Sequence, residues 1–220
     1  MTGEQPGSEG HRRLAHGGPD VPPTAAAAAF DEHTALVVVD VQNDFTDPAG
    51  GLSVRDAGAI LQPVNDLVAA AQAAGALVAY TQDWHPPSTP HFEKDGGIWP
   101  THCVAGTWGA ALHPALHVVG PVVRKGIGGE DGYSGFTVRD VTTGNEEPTA
   151  LHGLLEERRI SRVVIVGLAQ DVCVKETALD ARRLGYETAV VVDATRPVER
   201  RHGDGERALD DLRRHGVVVC

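Results

Sequence analysis

The feature that most constrains the fold is residues 35–41 (ALVVVDV), a β-branched apolar run with almost no polar alternation. A strand that faces water on one side alternates; a continuous run implies burial on both faces, as in a parallel sheet covered by helices. The rest of the chain repeats the theme. Residues 57–74 carry Ile60, Val64, Leu67, Val68 and Ala71 at helical spacing, and Gly75 stands where a C-terminal cap belongs. Strands are expected at 77–81 and 118–124, a helix at 151–159, a strand at 163–168, and a helix at 172–184 closed by Gly185. A strand at 188–193, a helix at 206–215 and a short strand at 217–219 complete the pattern. This alternation predicts an α/β fold: a doubly wound, mostly parallel sheet with helices on both faces, a Rossmann-like three-layer sandwich. Residues 83–112 and 126–149 lack a regular pattern, and irregular stretches of that length in a compact domain are usually functional.

With 220 residues the chain is long enough for one sizeable core, expected as a single domain over 31–220. Residues 1–30, rich in Gly, Pro and Ala, are expected to be a disordered leader; the alanine run at 25–29 is too short for a signal-peptide core. A formal net charge of −11 with no Lys/Arg run argues against nucleic acid or an anionic membrane surface as partner. No apolar stretch approaches the length needed to span a bilayer. Three cysteines, Cys103, Cys173 and Cys220, are too few and too odd for a disulfide framework. They point to a reducing compartment, the cytoplasm, where a free thiol can serve as a nucleophile.

In an open parallel α/β sheet, ligands bind outside the carboxyl ends of the strands. Asp40 ends the first expected strand, Asp83 lies just past the second, Lys125 ends the third, and Cys173 follows the 163–168 strand after a short turn. Singly each has an ordinary explanation: a turn residue, an edge charge, a small core thiol. Together, at equivalent positions of one fold, they describe a rim carrying carboxylates, an ammonium and a thiol. A free thiol is only a few per cent ionised at neutral pH. The start of a helix favours the thiolate. An ammonium about 4 Å away, at an effective dielectric near 20, adds on the order of 4 kcal/mol before desolvation is subtracted. Asp40 is then the proton acceptor, a role that requires burial to raise its pKa.

Between these positions lies Asp83-Trp84-His85, then His91, then Trp99-Pro100-Thr101-His102. One carboxylate and three imidazoles within about twenty residues are donors for a divalent metal of borderline softness, although a solvated loop could have the same composition.

These segments, taken in order with Asp40-Val41-Gln42-Asn43-Asp44-Phe45, Lys125-Gly126, Tyr133-Ser134-Gly135-Phe136 and Gly167-Leu168-Ala169-Gln170-Asp171-Val172-Cys173-Val174, resemble the nicotinamidase/pyrazinamidase family of isochorismatase-like cysteine hydrolases. The resemblance runs from about Ala35 to the C-terminus. It implies an amidase converting nicotinamide to nicotinate and ammonia through a thioester; pyrazinamide, with the same ring shape and amide, is expected to be converted to pyrazinoate. On that resemblance Asp40, Lys125 and Cys173 are the catalytic triad. Asp83, His85, His91 and His102 hold one divalent metal ion, zinc as first choice with iron or manganese as alternatives. Phe45, Trp99 and Tyr133 wall the pyridine pocket, and the Ala169 and Cys173 amides form the oxyanion hole after a cis peptide at Leu168-Ala169. The loop after Gly50-Gly51 reaches Leu52 early, which leaves Leu52 open as a wall. Cys103 has no base placed for it and reads as a structural thiol. Homo-oligomerisation is left open. A sister hydrolase acting on a ureido or carbamoyl amide would keep the triad but need no pyridine-binding metal.

Overall fold

The computed structural model describes residues 1–2 and 29–220. The leader expected at 1–30 lies outside the described residues except at its ends, where Phe30 already packs against the core. Six strands form one parallel sheet: β1 (Thr34–Val39), β2 (Leu77–Asp83), β3 (Val122–Lys125), β6 (Arg162–Leu168), β7 (Glu187–Arg196) and β8 (Val218–Val219), in the order β3-β2-β1-β6-β7-β8. From β1 the chain winds outward to β3, and from β6 it winds outward the other way to β8. The strand order therefore reverses between β1 and β6, and the crevice beyond their carboxyl ends is the topological switch point where such sheets bind ligands.

All six residues of β1 are buried, as the unbroken apolar run requires. Its side chains alternate between two cores. Leu36 and Val38 join Val64, Val68 and Ala71 of helix α1 (Leu61–Ala73) on one face. Ala35, Val37 and Val39 face the other side, with Leu151 and Leu155 of α2 (Leu151–Glu157), Ala178 and Ala181 of α3 (Lys175–Arg183), and Leu212 of α4 (Asp204–Arg214). Among the described residues no helix is long and apolar enough to cross a membrane.

Three of the departures from expectation have a local reason. The helix expected from residue 57 opens with a 3₁₀ turn, Ala57–Ile60. A continuous α-helix from there would need a hydrogen bond from Pro63 to Ala59, which proline cannot give. The third strand begins at Val122, after Pro121, rather than at 118. The supposedly irregular 126–149 stretch contains an antiparallel ribbon, β4 (Thr137–Arg139) with β5 (Glu146–Pro148). Its turn is held by the Asp140 carboxylate, which accepts from the Thr142 N–H at 3.0 Å and the Thr143 N–H at 2.6 Å.

One glycine sets how closely the two central strands approach. Gly167 has φ of 110°, and a Cβ there would lie 2.1 Å from the Val39 carbonyl oxygen. Both the positive φ and the contact with backbone exclude a side chain. Gly167→Ala is expected to destabilise the fold by about 2–4 kcal/mol, read as a lower urea midpoint with an unchanged slope. A midpoint equal to wild type would show that β1 and β6 can separate freely.

Candidate active site

Four strand ends deliver the candidate residues to one rim. Asp83 and Lys125 are register partners at the ends of β2 and β3. Asp40 directly follows β1 in a left-handed conformation, φ 48°. Cys173 sits in a wide π-type turn, Gln170–Val174, between β6 and α3. A buried amide fastens the first two strands there: Gln42 Nε2 donates to the Asp83 carbonyl at 2.8 Å and to that of Ala110 at 2.9 Å, while Asp83 N–H donates to Gln42 Oε1 at 2.8 Å.

Lys125 is the centre of the constellation. Its ammonium is fully buried, 2.7 Å from Asp40 Oδ2 and 3.8 Å from Cys173 Sγ, and it donates to Asp83 Oδ1 and the Gly132 carbonyl. One oxygen from each of Asp40 and Asp83 and the Cys173 sulfur lie within 4.8 Å of one another. Thr81 Oγ1 donates to Asp40 Oδ1 at 2.7 Å.

This geometry separates the two carboxylates. Burial raises Asp40 to about 6, against the pull of the Lys125 charge and with a push from Asp83. Burial also penalises the Asp83 charge, but Lys125 and His85 outweigh it and hold Asp83 well below the usual carboxylate range. Lys125 is held well above the ordinary lysine value: desolvation opposes its charge, and the Asp40 and Asp83 charges prevail. At Cys173 the sequence expectation fails. Lys125 stands where expected, yet complete burial, aided by the Asp40 and Asp83 charges, outweighs the ammonium and pushes the thiol well above its ordinary value. At rest Cys173 is therefore a thiol, beside a carboxylate, Asp40, raised to about 6.

Beside this group, one nitrogen each of His85, His91 and His102 falls within a 4.8 Å cluster, all three residues buried. Asp83 Oδ2 is 3.8 Å from both His85 Nε2 and His102 Nε2. His102 Nδ1–H donates to the Pro100 carbonyl at 2.7 Å and His91 Nδ1–H to Asp131 Oδ1 at 2.5 Å, which leaves each Nε2 a lone pair. Burial, against the attraction of Asp83, lowers His102 to about 4, so it is neutral at pH 7. Both nitrogens of the fully buried His85 lack a hydrogen-bond partner among the described residues. An unpartnered His85 Nε2 facing the Asp83 carboxylate fits a divalent cation, which would satisfy that nitrogen.

A cavity of about 380 Å³, counted to its open mouth, joins the two groups; its walls include Phe45, Trp99 and Tyr133, with Cys173, His91 and His102. Leu52 is a wall too, as are Val54, Val172 and Val198, which the sequence reading did not single out. Trp99 Nε1–H donates to the Tyr133 hydroxyl at 2.9 Å. The Leu168–Ala169 peptide is cis, as the resemblance implied. Gly126, at φ 74°, has no room for a Cβ, which would fall 2.5 Å from His85 Cε1. Cys103 is in the α1-side core, with its thiol pushed well up by burial, which fits a structural role. Asp131, Thr81 and the Gly132 and Pro100 carbonyls went unpredicted, because no spacing in the sequence marks them.

The isochorismatase domain model matches residues 34–220. A nicotinamidase/pyrazinamidase of Mycobacterium tuberculosis is 38% identical over 192 residues, covering 84% of this chain and 98% of that protein. Among solved structures, a pyrazinamidase of Pyrococcus horikoshii in complex with zinc aligns with a TM-score of 0.76 at 35% identity, over 86% of this chain and 98% of the other. PnC1 from L. infantum in complex with nicotinate aligns at 0.79 and 34% identity, over 87% and 94% of the two chains.

Asp131 is the part of the cluster best tested alone. Asp131→Ala is expected to weaken binding of added Zn(II) by about 10–100-fold, measured by competition with a chromophoric chelator, with the circular dichroism spectrum unchanged. Equal affinity in the two proteins would remove Asp131 from the support of His91.

Proposed function

This chain belongs to the isochorismatase domain family, and we propose that it is a metal-dependent cysteine amidohydrolase that converts nicotinamide to nicotinate and ammonia, and pyrazinamide to pyrazinoate. The observation that carries the reading is the Lys125 ammonium between Asp40 and the Cys173 thiol, under aromatic walls that end at an imidazole cluster. A ureido or carbamoyl amidase would have no use for that cluster.

In this reading the substrate ring lies among Phe45, Trp99 and Tyr133 with its amide carbon over Cys173. Asp40 takes the thiol proton as the sulfur attacks. Lys125 holds both groups in place and compensates the charge. The Ala169 and Cys173 N–H groups receive the developing oxyanion. Asp40 returns the proton to the departing ammonia and leaves a thioester. It then takes a proton from water, which hydrolyses the thioester to the acid. A divalent metal held by Asp83, His85, His91 and His102, with zinc favoured by this donor set over iron or manganese, would orient the pyridine ring and draw electron density from it. The three cysteines are unpaired, which supports a cytoplasmic address.

Ammonia release from nicotinamide and from pyrazinamide is the direct test. Turnover is expected to vanish in Cys173→Ala and after chelation, and to return on metal addition to the chelated wild type alone. Metal-independent hydrolysis of ureido amides, without nicotinamide turnover, would move the chain to the sister hydrolases.

The acid limb of kcat/KM tests the base. Asp40 works ionised, so activity is expected to rise with pH through about 6 and then level off. Thr81 donates to this carboxylate and lowers its pKa, so Thr81→Val is expected to move the limb to higher pH. An acid limb unmoved by that change would assign the titration to another group.

A further inference from the structure

The thiol turn and the imidazole loop flank the mouth of the pocket, and one side chain joins them across it. Asp171, in the Cys173 turn, accepts from the Val198 N–H at 2.8 Å and the Glu199 N–H at 2.9 Å. This anchors the segment leading into Arg200, in which Glu199 has φ of 48°. From that segment the Arg200 guanidinium lies 4.8 Å from the centre of the Trp99 ring. Trp99 belongs to the opposite side: its ring stacks near His91, 6.4 Å between centres at 26°, and it donates to the Tyr133 hydroxyl.

Trp99 is also the partition between two hollows. It lines the pocket that holds Cys173 and, with Val172 and Val198, an outer groove; Arg200 lines only the groove. The guanidinium therefore meets the ring from outside. Its groove neighbours Arg207 and Arg214 are paired with Asp204 at 2.7 Å and Asp211 at 3.0 Å. Among the described residues Arg200 has no carboxylate partner, and its charge faces the indole. A planar guanidinium at that distance is attracted to the ring face.

We propose that Arg200 is a positioning residue that clasps Trp99 over the pocket mouth and so sets the affinity for a small planar aromatic amide. It acts through Trp99, touches no reacting atom, and its consequence for turnover rests on the amidase reading above. The clasp spans the two halves of the site: one end is anchored by the nucleophile turn, and the other holds a ring fixed by Tyr133.

The chain has three tryptophans, so a Trp84→Phe/Trp108→Phe background isolates Trp99. In that background Arg200→Ala is expected to raise acrylamide quenching of Trp99 and KM for nicotinamide each by about two- to fivefold, with kcat within about twofold. Arg200→Lys, which keeps the cation, is expected to recover part of both, and Arg207→Ala to change neither. Arg200→Gln gives the same readouts should the alanine variant be unstable. Quenching or KM equal to the parent in the Arg200 variants, or a fall in kcat at constant KM, would overturn the clasp. Absence of nicotinamide turnover in the wild-type chain would overturn the amidase reading instead, and the quenching comparison alone would then decide the clasp.

Discussion

A buried ammonium holds this site together. Lys125 lies buried at the end of β3, touching Asp40, Asp83 and the Gly132 carbonyl, and 3.8 Å from the Cys173 sulfur. Any one of these charges buried alone would carry a large desolvation cost. Their mutual contact is what lets two carboxylates and a thiol share a buried rim. It also makes the titrations of Asp40 and Asp83 a property of the cluster. Asp83 has Lys125 and two imidazoles around it and keeps its charge. Asp40, fully buried, has Lys125 and one hydroxyl, and its affinity for a proton rises. One carboxylate is thereby suited to a cation and the other to a proton, although the two residue types are identical.

The sheet puts that ammonium where it can act. Asp83 and Lys125 meet because β2 and β3 pair in register, and Asp40 and Cys173 meet because β1 and β6 flank the reversal in strand order. Packing on both faces of β1 leaves the strand ends little freedom, which a site built from single residues on separate strands requires.

Much of this was legible in the chain. The fold could be read because burial on both faces leaves an unbroken β-branched run, and the rim could be read because parallel strands all end on one edge. Asp131, Thr81 and Arg200 were not legible, since each acts through a contact between segments distant in sequence, and neither charge nor spacing marks them out. The ribbon at 137–148 was read as irregular although Asp140 and Gly144 carry its turn chemistry, because strands of three residues are too short to show a period. The upward shift of the thiol is hidden in the sequence for a different reason. Proximity to an ammonium can be inferred from topology, but the extent of desolvation is known only once the walls are in place.

A neutral resting thiol changes how the proposed nucleophile must work. With Asp40 and Asp83 ionised and Lys125 protonated, the rim already carries one excess negative charge while the thiol is neutral. Releasing the thiol proton to solvent would add a second in a site that burial has dried, which is why the thiol is pushed up. Passing it to Asp40 leaves the total unchanged. The cost of making the thiolate is then set by the difference between two neighbouring acids, and raising Asp40 to about 6 shrinks that difference from one side. Lys125 stabilises whichever of the two partners is charged. A buried thiol is a poor nucleophile at rest; coupled to a carboxylate of raised pKa, it becomes a good one as the proton moves.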